Sequence, residues 1–286
     1  MKKLLIKSGR VIDPATSFDQ VADLLIVDGS IAQISDTIEL SDSIDIVDAR
    51  GKWVTAGLID IHTHLRDPGF EYKEDISSGA ASGAAGGFTT ILCMPNSNPV
   101  NDNQEVTRYI IEKGKQDASI TVLPVGALTL KLQGEQLASI DDMAKGGIVA
   151  LSDDGRSIQN GSLMRAAMEQ SKLYNLLLME HAESYSFNSK GDMNEGLISA
   201  KLGLVGIPKI AEDIMVARLA FLAEDLDMKA HVSHISTKRS VDIVRWAKSR
   251  GVQISAEAAP HHFTLTEDAV GEYNSMAKMS PPLREQ

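Results

Sequence analysis

Short apolar runs broken by turn residues dominate the first 55 residues of the chain. The stretches LLIKSGRVID, ADLLIVDGSIAQIS and SIDIVDARGKWVTAG are rich in Ile, Val and Leu and are interrupted by Gly, Asp and Ser. This pattern is typical of strands separated by turns, and the Asp28-Gly29 pair favours a two-residue hairpin. We therefore predict a small N-terminal β-sandwich module, partial in this chain, over residues 1–55.

From residue 57 onward the pattern changes to apolar runs that alternate with helix-like stretches. Seven runs have the composition of buried strands: 57–61, 88–94, 120–125, 147–152, 175–181, 229–235 and 252–258. Their starts are 31, 32, 27, 28, 54 and 23 residues apart, close to the roughly 30 residues of a βα unit. Helices are predicted between them, at 74–86, 103–117, 160–173, 208–226 and 237–250. The repeat predicts an α/β fold, a (β/α)8-type TIM barrel over residues 56–286 that is incomplete at strand eight.

The interval after the fifth predicted strand is the longest of the series. It contains ESYSFNSKGDMNEG at residues 183–196, a polar stretch with two glycines. We predict a mobile loop on the catalytic face here, and a surface excursion without function is an equal alternative.

Composition and charge exclude several classes of partner. The chain has 286 residues, 43% of them hydrophobic, and a formal net charge of −11 with no basic run. Nucleic acid and anionic membrane are therefore poor candidates for binding partners. The sequence also contains no run of about 18 apolar residues, the length that a membrane-spanning helix needs. The single cysteine, Cys93, cannot form a disulfide within the chain and is expected to be a core residue, which favours a cytoplasmic protein.

Metal-binding side chains stand at the carboxyl ends of the predicted strands, the end at which TIM barrels hold their active sites. The polar residues at these ends are His62, His64, Asn96, Asp153, Asp154, His181 and His234. Four histidines with a carboxylate fit borderline divalent metals, zinc first. One catalytic zinc uses about three protein ligands, so this set suits two ions about 3.5 to 4 Å apart. The pattern predicts a binuclear hydrolase.

Seven motifs along the chain together resemble one known family. They are GLIDIHTHLRDPG, GGFTTILCMPNSNPV, LSDDG, EHAE, HVSHIST, AAPHHFTLTE and KMSPPLR. As a set they are similar to the amidohydrolase superfamily and, within it, to the dihydroorotases of the longer bacterial type. This resemblance implies a zinc-dependent enzyme of pyrimidine biosynthesis that interconverts L-dihydroorotate and N-carbamoyl-L-aspartate.

The resemblance also implies roles for individual residues. His62 and His64 would bind the first zinc, and His181 and His234 the second. By alignment with the family Asp154 would bridge the two ions, where many relatives carry a carboxylated lysine; chemistry alone does not separate Asp154 from Asp153.

Substrate contacts follow from the same resemblance. Arg66 and Asn96, together with His64, would bind the substrate, with the arginine forming a bidentate contact to its α-carboxylate.

The chain departs from the family pattern in two places. The proton-shuttling aspartate of the family lies in a D-H-A-P-H stretch at strand eight, and this sequence stops at KMSPPLREQ after the seventh predicted strand. We therefore assign no catalytic residue within the chain and expect a fragment with little or no activity alone. Ser280 stands where the family often has asparagine, which puts one substrate contact in doubt.

Alternative functions remain open at this point. A hydantoinase or allantoinase is the nearest alternative enzyme, although Arg66 and the absence of the bridging lysine argue against it. A non-catalytic barrel that partners aspartate transcarbamoylase is the alternative from another class, and a homodimer is also open. His231 is interpreted as a supporting or core residue and not as a metal ligand, whereas His261 and His262 could approach the site, although a structural role is favoured for them.

Overall fold

The computed structural model describes residues 2–39, 44–188 and 190–286. The chain divides into two compact units, Met1–Leu58 and Ile59–Gln286. Each unit has its own hydrophobic core.

The N-terminal unit is built on one mixed sheet. Its five strands are β1 (Lys3–Asp13), β2 (Phe18–Val27), β3 (Ser30–Ser35), β4 (Asp45–Asp48) and β5 (Trp53–Thr55). β1, β2 and β3 pair antiparallel in chain order, whereas β4 and β5 both pair parallel to β1. Within the described residues this all-β module is therefore a single layer.

The predicted hairpin of the N-terminal unit is confirmed. Val27 pairs with Ser30, which leaves Asp28 and Gly29 as a two-residue loop. Both loop residues have positive φ, 49° and 82°, as a type I′ turn requires.

The second unit contains a seven-stranded sheet that confirms the α/β barrel class. Its strands are β6 (Leu58–Thr63), β7 (Phe88–Cys93), β8 (Thr121–Gly126), β9 (Ala150–Ser152), β10 (Leu177–Glu180), β13 (Ala230–Val232) and β14 (Ile254–Ala256). They follow one another across the sheet in chain order, and the pairings from β7 to β14 are parallel. Each predicted apolar run overlaps one of these strands. In the described part of the chain, β6 and β14 are the two edges of the sheet.

Helices occupy the intervals between the strands. They are α1 (Ile76–Ala85), α2 (Gln104–Asp117), α3 (Ile140–Gly146), α4 (Gly161–Leu173), α5 (Tyr185–Asn188), α6 (Leu197–Leu202), α7 (Ile210–Asp225), α8 (Lys238–Ser249) and α9 (Pro260–Thr264). The five predicted helices correspond to α1, α2, α4, α7 and α8. None of the helices in the described ranges has the length and apolar character needed to span a bilayer.

Side chains at the start of α1, α4 and α8 accept hydrogen bonds from free backbone N–H groups of the first turn. The Asp75 carboxylate accepts from Ser78 N in α1, and Asn160 Oδ1 accepts from the first turn of α4. Thr237 Oγ1 accepts from Ser240 N at the start of α8. These contacts fix where each helix begins after its strand.

The segment predicted as a mobile loop, residues 183–196, contains short elements. α5 and α6 lie on either side of β11 (Met193–Asn194), which pairs parallel with β12 (Gly206–Ile207). Residue 189 of this segment lies outside the described residues. A two-residue strand and helices of four and six residues are too short to leave a clear periodic pattern.

Alternating residues of the parallel strands face two different cores. Ala150 and Met179 pack on the inner face of the sheet with Leu92 and other apolar residues. Leu151 and Leu178 belong to the larger outer core, which α4, α7 and α8 cover. Because successive side chains of a strand point to opposite faces, this register determines which polar residues at the strand ends face inward.

Candidate metal centre

The predicted site residues lie at the carboxyl ends of the strands. His62 is in β6 and His64 follows it, Asn96 follows β7, Asp153 and Asp154 follow β9, His181 follows β10, and His234 follows β13. The parallel arrangement places these ends on one side of the sheet, so residues far apart in sequence can meet there.

Asp154 lies at the centre of this group. Its Oδ1 is 3.3 Å from His62 Nε2 and 3.2 Å from His234 Nε2, and its Oδ2 is 3.4 Å from His64 Nε2. His181 Nδ1 is 3.8 Å from Asp154 Oδ1. One carboxylate therefore contacts or approaches all four histidines.

The side chains divide into two ligand groups that share Asp154. One is His62, His64 and Asp154, and the other is Asp154, His181 and His234. The ligand atoms within each group lie within 4.8 Å of one another. Either group could hold a metal ion.

The donor set fits divalent zinc by geometry and chemistry. Two donors about 2.1 Å from one tetrahedral zinc ion lie roughly 3.4 Å apart. Three of the four histidine–carboxylate distances, 3.2 to 3.4 Å, match this separation. Neutral imidazole nitrogens and a carboxylate are also the donors that zinc accepts.

Asp153, the alternative bridging residue, faces away from the histidines. Its carboxylate accepts hydrogen bonds from the backbone N–H groups of Leu128 and Thr129, at 2.7 and 3.0 Å, and from the Thr129 hydroxyl. Burial raises the pKa of Asp153 to about 6, although these hydrogen bonds oppose the shift. The alternation along β9 that turns Ala150 inward also turns Asp154 inward.

Electrostatics favour an ionised Asp154. Burial would raise the pKa of this carboxyl group, but hydrogen bonds from His234 and His62 hold it well below its usual range. Burial also lowers the pKa of His234 and His64 despite the nearby Asp154, which favours the neutral imidazoles that bind metals.

His62 differs from these two histidines because two carboxylates flank it. Burial lowers its pKa, but hydrogen bonds to Asp154 and Glu257 outweigh that effect and raise the pKa to about 10. In the absence of a metal, His62 is therefore protonated at neutral pH.

Two residues of the site have left-handed backbone conformations. Arg66 has φ 61° and His234 has φ 32°, a region that few non-glycine residues adopt. Such outliers cluster at functional sites, where the surrounding structure holds them in place.

The residues predicted to bind substrate are next to the first ligand group. The Asn96 amide lies 3.0 to 3.1 Å from His64 Nδ1, on the side of the ring away from Asp154. Arg66 is partly buried and close enough for its charge to contribute to lowering the pKa of His64. Within the described residues, the Arg66 guanidinium has no hydrogen bond or ion pair.

A cavity of about 680 Å³ opens beside the histidines. His62, His64 and His234 line it, together with Ser280 and His262. Its volume is in the range of small-molecule sites, and Ser280 is therefore placed where it can contact a substrate.

Sequence reasoning missed two acidic residues that contact the histidines. Glu257 Oε1 lies 2.6 Å from His62 Nδ1, and Glu183 Oε2 lies 3.3 Å from His181 Nε2. Glu257 lies near the end of the predicted run 252–258 and Glu183 is two residues after the run 175–181, so the rule that found the histidines also marks them. Burial raises the pKa of Glu257, but hydrogen bonds from His231 and His62 outweigh it and lower the pKa to about 2.

Comparison with known proteins identifies the family. The family model described as dihydro-orotase-like matches residues 51–240, more than half of the chain. The chain belongs to the dihydroorotase-like family. The resemblance inferred from the motifs is thereby confirmed.

Curated relatives of this dihydroorotase-like chain are named dihydroorotase. The dihydroorotase of Geotalea daltonii is 50% identical over 282 residues, which cover 99% of this chain and 66% of that protein. The dihydroorotase of Syntrophotalea carbinolica is 51% identical over 282 residues with the same shares. The chain thus spans 66% of the length of these curated relatives.

Solved structures show the same fold. L-hydantoinase (dihydropyrimidinase) from Arthrobacter aurescens has a TM-score of 0.82 at 20% identity, covering 100% of this chain and 64% of that one. Dihydropyrimidinase from Brevibacillus agri has a TM-score of 0.78 at 21% identity, covering 99% and 63%. At these identities the likeness shows the fold alone.

Proposed function

We propose that this chain carries the metal-binding barrel of a zinc-dependent dihydroorotase. The enzyme would interconvert L-dihydroorotate and N-carbamoyl-L-aspartate in de novo pyrimidine biosynthesis. The single observation that carries the proposal is the position of the Asp154 carboxylate between two pairs of histidines. Since the chain spans 66% of the length of its curated relatives, the activity of the whole protein is part of the proposal.

Two zinc ions would be held by the two ligand groups that share Asp154. His62 and His64 would hold one ion, and His181 and His234 the other. When bound, such ions supply Lewis-acid polarisation of a substrate carbonyl and lower the pKa of a water towards about 7.

The protein's own groups prepare this site in three ways. The low pKa of Asp154 keeps its carboxylate charged between the histidines. Burial favours neutral rings at His64 and His234. The Asn96 amide contacts the outer nitrogen of His64 and thereby holds its inner nitrogen towards Asp154.

Arg66 would bind the α-carboxylate of the substrate. Its guanidinium is free of hydrogen bonds and ion pairs to the described residues, and arginine presents a planar pair of donors that matches a carboxylate. The negative net charge of the protein makes a local cation necessary for an anionic substrate. Asn96 and His64 stand beside this position and would complete the contact.

A comparison of substrates tests the proposed activity. Because the chain alone is expected to have little or no turnover, the binding of dihydroorotate and of hydantoin to the zinc-loaded 286-residue chain is compared by calorimetry. We expect preference for dihydroorotate because Arg66 has a carboxylate to bind there and none in hydantoin. A preference for hydantoin would favour the hydantoinase alternative.

Metal content tests the site independently of turnover. We expect about two zinc ions per chain after dialysis against excess zinc and then against metal-free buffer. A chain that binds none would favour the non-catalytic partner of aspartate transcarbamoylase. That partnership, a homodimer and a cytoplasmic location stay predictions.

A further inference from the structure

We propose that Glu257 is a positioning residue that holds His62 in the orientation needed for metal binding. This inference rests on the proposed metal-dependent function. It assigns a role to a residue that the sequence analysis did not select.

The two nitrogens of His62 face two different carboxylates. Nδ1 is 2.6 Å from Glu257 Oε1, and Nε2 is 3.3 Å from Asp154 Oδ1. Asp154 belongs to both ligand groups found in the described residues, and Glu257 belongs to neither. Glu257 therefore contacts the side of the ring that is turned away from the metal position.

This arrangement selects one tautomer of the ring. A neutral imidazole has one N–H donor and one acceptor nitrogen, and an ionised carboxylate can only accept. The short contact to Glu257 holds a proton on Nδ1. When a metal replaces the proton on Nε2, the lone pair of Nε2 would then face the metal position beside Asp154. Carboxylates that accept from the outer nitrogen of a ligand histidine fix its orientation and raise its basicity.

Glu257 is itself held in place. Its backbone N–H donates to Val232 O at 3.1 Å, and its carbonyl accepts from Ile235 N at 2.8 Å. Its second carboxylate oxygen lies 3.5 Å from His231 Nε2, and His231 Nδ1 lies 2.8 Å from Ser255 Oγ. The two oxygens of the Glu257 carboxylate thus approach two different histidines.

The contact also joins the two edge strands of the sheet. His62 is in β6 and Glu257 directly follows β14, at the opposite ends of the strand order. Because β6 has one neighbouring strand in the described structure, backbone pairing fixes it on one side only. The His62–Glu257 contact supplies a restraint on the other side.

Metal titration of variants tests the role of Glu257 without an activity measurement. Zinc affinity is measured by chelator competition for the wild-type chain, Glu257→Ala and Glu257→Gln. We expect Glu257→Ala to weaken one of two zinc equivalents by about 10- to 100-fold. The other equivalent should keep its affinity and serve as an internal check of folding. Glu257→Gln retains an acceptor oxygen, so it should recover part of the loss.

Gln253→Ala is the matched control. Gln253 directly precedes β14 as Glu257 directly follows it, and its exposed side chain has no hydrogen bond or ion pair among the described residues. We expect both zinc equivalents to keep their affinity in this variant. Nitrogen NMR of the zinc-loaded wild type should show a proton on His62 Nδ1 that exchanges faster in Glu257→Ala.

The outcomes separate this inference from the proposed function. A wild-type chain that binds no zinc overturns the metal site itself. Zinc binding by the wild type with unchanged affinity in Glu257→Ala overturns only the role of Glu257. Equal weakening of both equivalents in Glu257→Ala and Gln253→Ala would also overturn it, because the effect would then be general damage to β14.

Discussion

The middle and the edge of the parallel sheet hold candidate metal ligands under different conditions. Asp154 and His181 follow β9 and β10, central strands that are almost wholly buried, and their side chains are 5% and 3% exposed. His64 follows the edge strand β6, whose residues are exposed or partly buried, and its side chain is 33% exposed.

The difference in exposure points to two ways in which a metal-binding side chain can be held in position. In the middle of the sheet, neighbouring strands on both sides and a packed core restrain the backbone. At the edge, side-chain contacts contribute much of the restraint, from Glu257 to His62 and from Asn96 to His64. We therefore expect the His181 and His234 group to bind its ion more tightly than the His62 and His64 group.

Replacement of Asp154 should have the largest effect because this residue belongs to both ligand groups. Asp154→Asn keeps the shape of the side chain but removes its charge. We expect zinc binding to be lost both at the His62 and His64 group and at the His181 and His234 group. Equilibrium dialysis with zinc measures this. Asp153→Asn is the control: it should cost about 1 to 3 kcal/mol of unfolding free energy through weakened buried hydrogen bonds and retain zinc. Equal loss of zinc in both variants would contradict the assignment.

Truncation of an apolar side chain should cost more in the middle of the sheet than at its edge. Leu178 of β10 is 0% exposed and Ile59 of β6 is 61% exposed. Leu178→Ala should lower the free energy of unfolding by about 2 to 5 kcal/mol, and Ile59→Ala by no more than about 0.5 kcal/mol. Urea denaturation of the two variants measures the difference. Similar losses would mean that the edge is as tightly packed as the centre.

Replacement of Gly69 tests how tightly the loop after the edge strand β6 is packed. It has φ 94°, and a Cβ there would overlap the backbone carbonyl of Asn98. We expect Gly69→Ala to cost roughly 2 to 5 kcal/mol, since the left-handed backbone and the overlap both contribute. Gly134→Ala has φ 70° and open space around it, so it should cost only about 1 to 2 kcal/mol. Thermal unfolding measures the stability lost in each variant, and the difference between them gives the cost of the steric overlap at Gly69. Equal losses of stability would contradict this overlap.

Alkylation of Cys93 is the test with the smallest expected effect, and it reports on the packing of β7. Burial raises the pKa of its thiol to about 12, and the side chain is 0% exposed. The reactive thiolate is therefore scarce between pH 7 and about 9, where an exposed thiol of pKa about 8.5 ionises. We expect alkylation of the native chain to stay slow across this range and to become fast in denaturant. A rate in native buffer that follows a pKa near 8.5 would contradict this packing.

The strands could be predicted from the sequence because parallel strands buried on both faces read as continuous apolar runs. The histidines could be found because they stand at or just after the carboxyl ends of these runs. The choice between Asp153 and Asp154 required the register of β9, since adjacent residues face opposite sides of a strand. Elements such as α6 and β11, with six and two residues, have too few positions to show a period.

The contact between Glu257 and His62 could not be predicted from the sequence. Its partner His62 is 195 residues away, and no local pattern links the two positions. Their contact depends on the curvature of the sheet, which brings β6 and β14 near each other across its inner face. A single sequence contains the strand ends but not the distance between them.

The outer strands also affect how the chain behaves in concentrated solution. β6 and β14 each have one hydrogen-bonded neighbour in the described structure, so their far sides present backbone groups that can pair with another extended chain. Exposed Ile59 adds an apolar contact on one of these sides. Light scattering is therefore expected to rise with protein concentration, and mild urea, which solvates peptide groups, should reverse it before the barrel unfolds.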